Sequence, residues 1–242
     1  MLRALFFVSI AVVPLAAQET AQPASVKPIP RKDPGWVLRH DRFLEQSKAG
    51  NIDVAFIGDS ITQGWEGAGK EVWEKNFAPL KAGNYGIGGD QTQHVLWRIT
   101  EGKELEGIAP KVAVLMIGTN NVGGHSAKDI AAGVEAIVKE LRKQKPEIKV
   151  LLLAVFPRTK AYNPPEPKVA TGALHPKIGE INKLISKLND GKHVFYLDIN
   201  KAFLDDDGGM SKEIMPDYLH LSPKGYERWA GAVLSKVKEL LK

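Results

Sequence analysis

The sequence predicts an open α/β fold: a parallel sheet of five strands with helices on both faces. Two observations carry this expectation. Apolar runs of strand length alternate with segments of helical periodicity, and each run is apolar along its whole length. The 242 residues contain no internal repeat and no second candidate core, which fits one α/β domain.

Residues 1–17 read as a secretory signal peptide. Arg3 gives a basic start, residues 4–15 are almost wholly apolar, and Ala16-Ala17 precedes the polar Gln18. The apolar run is shorter than the roughly 20 residues of a spanning helix, so no stable membrane insertion is expected after its removal. The expected location is therefore secreted or periplasmic. Residues 18–35, interrupted by Pro23, Pro28 and Pro30, read as a linker without apolar period. The domain proper is expected over 36–242.

A first helix is predicted over 36–49, with Trp36, Leu38 and Phe43 apolar and Gly50 ending it. The first strand, 52–57, stops at Gly58-Asp59-Ser60. A loop containing Gly64, Gly67 and Gly69 leads to a short helix over 72–77, and a weaker strand covers 81–85. After Gly86-Ile87-Gly88-Gly89, Asp90 with Gln93 three residues on reads as a capping box opening a helix through Ile99. The third strand, 111–117, runs into Gly118-Thr119-Asn120. Ser126 and Asp129 form a second capping pattern, and Ile130, Val134, Ile137 and Leu141 recur at helical spacing before Pro146. The fourth strand is 150–155, and the Pro-rich loop 157–168 is expected to rim a pocket. Ile178, Ile181, Ile185 and Leu188 mark a helix, and 193–198 is the fifth strand. Ser222 as N-cap with Pro223 behind it opens the last helix.

Ligands of open α/β sheets bind at the carboxyl ends of the strands, and the polar turns of this chain fall there. A Gly-Asp-Ser triplet is by itself most often a turn or a helix cap. Its weight comes from the other turns. Ser60 offers a nucleophilic oxygen, His220 a base that takes its proton and returns it to a leaving alcohol, and Asp217 a carboxylate to fix the imidazole. The backbone N–H groups of Ser60 and Gly89 and the side-chain amide of Asn120 are the right kinds of donor for a tetrahedral oxyanion. Gly89 stands just before a predicted helix N-terminus, where negative charge is favoured.

Gly58-Asp59-Ser60, Gly88-Gly89, Gly118-Thr119-Asn120 and Asp217-x-x-His220 resemble, in order, the four blocks of the SGNH hydrolases, or GDSL esterases. The run from Asn84 to Arg98 is similar to the catalytic subunits of intracellular platelet-activating-factor acetylhydrolase. The resemblance spans roughly residues 54–241, with Ile61 standing where the family motif carries Leu. It implies a flavodoxin-like three-layer α/β/α fold. It also implies a triad of Ser60, Asp217 and His220 with oxyanion donors at Ser60, Gly89 and Asn120. Ile61, Thr119 and Leu219 adjoin these groups and are expected to close a small acyl site, favouring acetyl esters of carbohydrates or lipids. A lysophospholipase or acyltransferase of the same fold is the alternative, as is a catalytically silent carbohydrate-binding module.

Other classes find little support. Gly86 to Gln91 lacks the last glycine of a dinucleotide fingerprint, and the G-x-S-x-G elbow of the ordinary α/β-hydrolases is absent. Cysteine is absent, and His40, His94, His125, His175 and His193 have no metal-ligand spacing, so no metal or other cofactor is expected. The net charge of +5 is spread among acidic residues without an aromatic-interleaved basic stripe, which argues against nucleic-acid binding. The expected partner is a small-molecule or glycan ester.

Overall fold

A computed structural model describes residues 22–242. The segment read as a signal peptide lies outside the described residues. The main sheet contains β1 (Val54–Gly58), β2 (Ala82–Gly86), β3 (Val112–Met116), β4 (Lys149–Leu153) and β6 (Val194–Leu197), in the order β2-β1-β3-β4-β6. Every neighbouring pair is parallel. Two further strands, β5 (Lys168–Val169) and β7 (Met210–Ser211), form a small antiparallel ribbon that carries no periodic signal in the sequence.

The strands read as continuous apolar runs because both faces of the sheet are covered. Ala55, Ile57, Ala113, Leu115, Val150 and Leu152 face one apolar cluster with α1 (Pro34–Ala49), α4 (Thr92–Ile99), α5 (Ala127–Gln144) and α6 (Pro176–Ile185). Val54, Phe56, Val112, Val114, Leu151 and Leu153 face the other, filled by α2 (Ser60–Gln63), α3 (Lys70–Asn76) and α7 (Pro223–Leu240). Side chains of a strand alternate between faces, so each strand feeds both clusters. The result is the three-layer α/β/α arrangement, with its strand order reversing between β1 and β3, where such sheets place their ligands.

Helix starts follow local chemistry. Ser126 and Asp129 cap α5 reciprocally, and Ser222 Oγ accepts the Gly225 N–H at 3.1 Å with Pro223 in the first turn of α7. The first helix begins two residues before its first large apolar residue, because the Asp33 carboxylate accepts the Trp36 N–H at 3.0 Å and Pro34 fits the first turn. The Asp90 cap is corrected. Helix α4 is capped by Gln91, whose N–H donates to His94 Nδ1 at 3.0 Å. Asp90 is fully buried and turns inward to Trp36 Nε1 at 2.8 Å and to Arg98 Nε at 3.0 Å. A buried guanidinium needs a carboxylate more than a helix end needs a cap.

The described part of the segment read as a linker packs onto the domain. Residues Ala24–Val26 form a 3₁₀ turn, Ser25 is fully buried, and its hydroxyl donates to Asp129 O at 2.6 Å. Thr92 Oγ1 donates to Ser25 O at 2.9 Å. Gly133 of α5 permits this approach, since a Cβ there would lie 2.8 Å from Ser25 O and 2.4 Å from Thr92 Oγ1. Polar contacts anchor this strap, which is why apolar periodicity does not reveal it.

Candidate active site

Strand β1 ends where space is smallest. A Cβ on Gly58 would stand 2.2 Å from Thr62 Oγ1 and 2.4 Å from Met116 O, so only glycine lets the chain turn directly into α2. Asp59 caps that short helix, accepting the Ile61 N–H at 3.0 Å, and Ser60 is left at the carboxyl edge of the sheet.

The last loop returns to the same edge. Ser60 Oγ lies 2.8 Å from His220 Nε2 across 160 residues of sequence, and His220 Nδ1 lies 2.7 Å from Asp217 Oδ2. The other Asp217 oxygen accepts the N–H groups of Leu219 at 3.0 Å and His220 at 2.7 Å. Tyr218 between them takes a left-handed φ of 60° and buries its ring, which turns Asp217 and His220 towards each other. Burial pushes the Asp217 carboxyl up, but the hydrogen bonds from His220 and the backbone outweigh it and hold the group below its ordinary value. An ionised Asp217 only accepts, so Nδ1 carries the hydrogen and Nε2 is left to accept from Ser60.

The turn of the expected oxyanion donor Gly89 lies close to Ser60, since a Cβ on Gly88 would stand 3.7 Å from Ser60 Cβ. Among the described residues neither the Ser60 nor the Gly89 N–H has a protein partner. Gly89 has φ +79°, a left-handed conformation that favours glycine. Asn120 donates one amide hydrogen to Asp90 O at 2.9 Å, which orients the side chain, and its second hydrogen has no partner among the described residues.

The three acyl-site residues separate. Ile61 is 1% exposed and packs with Trp65, Phe56 and Tyr226 under the sheet, because α2 starts at Ser60 and turns the next residue inward. Thr119 is also 1% exposed, behind Asn120. Both side chains are closed off from solvent, unlike the open acyl-site wall expected of them. Leu219, 8% exposed, keeps an edge at the surface beside His220.

Several positioning groups had no sequence signal. Arg98 is fully buried, contacts Asp90 and Glu104, and donates to the carbonyls of Tyr85 at 3.0 Å and Gly58 at 3.3 Å. Arg39 Nε donates to Gly86 O at 2.6 Å while its fork holds Glu66. Arg31 Nη1 donates to Gly88 O at 2.6 Å. On the rim, Tyr162 donates to Asp217 Oδ2 at 3.2 Å, and Arg158 donates to Thr119 O at 3.3 Å. Arg158 also borders a cleft of about 710 Å³ between the 157–160 loop and α6. Among the described residues no group of three His, Cys, Asp or Glu side chains is placed to hold a metal ion.

Asp59 carries an unusual load. Its carboxyl is fully buried, Oδ2 has no partner among the described residues, and burial pushes its pKa up to about 7. Nearby Asp90 adds to the rise, while the Ile61 N–H and His220 oppose it. A carboxyl raised in the folded state stabilises the fold at low pH and loses that contribution as pH climbs from the unfolded value of about 4 towards 7. Asp59→Asn keeps the acceptor for Ile61 without the ionisation. Its melting temperature is therefore expected to fall less than that of the wild type between pH 5 and about 8. Parallel curves would show that Asp59 does not titrate in that window.

Sequence comparison agrees with this architecture. The model of the GDSL-like Lipase/Acylhydrolase family matches residues 56–228. Platelet-activating factor acetylhydrolase IB subunit alpha1 of Homo sapiens is 40% identical over 224 residues, covering 90% of this chain and 91% of that protein. Subunit alpha2 of Gallus gallus is 38% identical over 210 residues, 86% of each chain. The structure of a GDSL-like lipase from Bacteroides thetaiotaomicron superposes with a TM-score of 0.63 at 18% identity, covering 83% of this chain and 97% of that one. The likeness in structure speaks for the fold, and the likeness in sequence for the lineage. The chain belongs to the GDSL-like lipase/acylhydrolase family and is an ester hydrolase.

Proposed function

We propose that the protein is an exported serine esterase that removes short acyl groups, acetyl above all, from small-molecule or glycan esters through an acyl-enzyme on Ser60. The observation that carries this reading is the unbroken relay from Asp217 through His220 to Ser60, beside two N–H groups without partners among the described residues. In the first step Ser60 Oγ attacks the ester carbonyl as His220 Nε2 takes its proton. Asp217 stabilises the imidazolium, and the oxyanion receives the N–H groups of Ser60 and Gly89 and the second amide hydrogen of Asn120. His220 then protonates the leaving alcohol. Water, activated by the same imidazole, releases the acid and restores Ser60.

Export is supported by Arg3 and the apolar run that follows it. Preference for acetyl is supported by the relatives named acetylhydrolases, and Leu219, the least buried of the three neighbours, is its candidate contact. The leaving alcohol is assigned to the side of Tyr162 and Arg158, where Arg158 borders the cleft of about 710 Å³. An apolar pocket discriminates by about 1–3 kcal/mol per methylene, so selectivity is expected to be clear but incomplete. Purified mature protein should show a higher kcat/KM on p-nitrophenyl acetate than on the octanoate, and Leu219→Ala should narrow the gap. Faster turnover of the octanoate by the wild type would move the reading to a lipase or lysophospholipase. Acetylated glycans and acyl glycerides assayed beside the aryl esters identify the alcohol, and added acceptor sugars reveal any transfer.

A further inference from the structure

The turn that carries Gly89 is held from outside by a residue of the N-terminal strap. Arg31 is anchored on its own segment by Asp33, with Nε 3.0 Å from Oδ2. Two residues earlier the strap is tied to α4 by the Ile29 N–H, which donates to Gln93 O at 3.2 Å. From this base Arg31 Nη1 donates to Gly88 O at 2.6 Å and lies 3.3 Å from Asp90 Oδ1. Its guanidinium rests on the outer face of Gly89, where a Cβ would stand 3.1 Å from Nη1. On the inner side, Gly88 N–H donates to Gln63 Oε1 at 2.7 Å.

The Gly88 carbonyl and the Gly89 N–H belong to one peptide plane, and no described peptide bond is cis. In a trans peptide these two groups point in opposite directions. A donor that grips Gly88 O on the outside therefore fixes the direction of Gly89 N–H on the inside. The grip is also charged, and a cation on the carbonyl draws electrons from the amide, making its N–H a stronger donor. Because the pull comes through a rigid plane, Arg31 need not touch the substrate.

We propose that Arg31 is a positioning residue of the esterase, which aims and strengthens the Gly89 oxyanion donor by holding the Gly88 carbonyl. The strap from Ala24 to Asp33 is thereby a working part of the site. The proposal rests on the reading of Ser60 as nucleophile and of Gly89 N–H as oxyanion donor. It deepens that reading by adding a residue 57 positions away from the turn it controls.

The transition state develops the negative oxygen, so loss of the grip should appear in kcat more than in KM. Arg31→Met, assayed on p-nitrophenyl acetate, is expected to lower kcat about tenfold, less than the hundredfold or more for deleting a donor outright. KM is expected to stay within about twofold. Arg31→Lys should keep most of the rate, since an ammonium also donates to a carbonyl. In Arg31→Ala, added guanidinium should raise kcat, while the same concentration of sodium or urea should not. That comparison is made within one variant, so a difference in folding between variants cannot produce it. Either of two results overturns the proposal: a kcat for Arg31→Met within about twofold of wild type, or an Arg31→Ala enzyme whose loss guanidinium leaves unchanged. Ser60→Ala, run alongside, separates the levels. If Ser60→Ala is inactive and either result appears, only the Arg31 assignment falls. If Ser60→Ala remains active, the nucleophile reading and the Arg31 assignment fall together.

Discussion

Replacing Ser60 by Ala should reduce hydrolysis of p-nitrophenyl acetate by about 10⁴-fold or more, to the level left by binding and the oxyanion donors alone. His220→Ala should lose nearly as much, and the double variant little more than either single one. Groups that act as one unit are lost as one unit. The reason is the contact itself. A serine hydroxyl is a weak nucleophile until a base takes its proton, and Nε2 is the base within 2.8 Å of Oγ. Asp217→Ala should cost less: the imidazole loses the carboxylate that orients it, but His220 Nε2 and Ser60 Oγ, the pair that exchanges the proton, are both kept. A fluorophosphonate should label Ser60 in the wild type, and labelling of another serine in an active enzyme would remove Ser60 from the mechanism.

The parts of this molecule that were legible in sequence share a physical cause. Strands β1, β3 and β4 are buried on both faces, so their apolar runs are unbroken and readable. The second strand is weaker for a reason the structure supplies. Gly83 sits where a Cβ would lie 2.7 Å from Gln46 Nε2, and Asn84 bends its side chain back to the Gly86 N–H. Packing demands there override strand propensity. Ser60, Asp217 and His220, which the fold brings together, were legible as a candidate set because acyl transfer would need those three chemistries. Ile61 and Thr119, expected at the acyl site, are both buried, because adjacency in sequence says nothing of direction. A helix beginning at Ser60 sends its second residue into the core.

Asp90 shows a different limit. Its spacing to Gln93 satisfies a capping pattern, and only the folded chain reveals that Arg98 requires it. Arg31 is less visible still, since a lone arginine in a Pro-rich stretch has no periodic partner. Charge pairing in three dimensions leaves no mark on one sequence.

Arg98 is where that hidden pairing should matter most. Its guanidinium is fully buried with carboxylates on two sides, Asp90 Oδ2 at 3.0 Å from Nε and Glu104 Oε2 at 2.8 Å from Nη1. Its remaining donors reach Tyr85 O and Gly58 O, the ends of β2 and β1, so one side chain joins the Gly89 turn to the turn of Ser60. Arg98→Met fills much of the volume but takes the buried cation from both carboxyls, leaving Asp90 with Arg31 at 3.3 Å and Glu104 with the His40 ring at 3.3 Å. Breaking such a pair costs about 3–5 kcal/mol, a large fraction of the 5–15 kcal/mol that holds a typical domain together. The loss should depend on pH in a definite direction. Burial already pushes Asp90 up to about 6, against the opposing pull of Arg98, the Trp36 N–H and Arg31. Without Arg98 the carboxyl rises further. A carboxyl raised above its unfolded value favours the fold while protonated, and that contribution is lost as pH rises through the folded value. Urea unfolding of Arg98→Met should therefore show a smaller deficit against wild type at pH 5 than at about pH 8. Adding Asp90→Asn and Glu104→Gln to the variant should recover part of the loss at the higher pH, because neutral amides no longer need a counter-ion. A deficit equal at both pH values and unmoved by the added amides would mean that Arg98 acts through its carbonyl contacts alone.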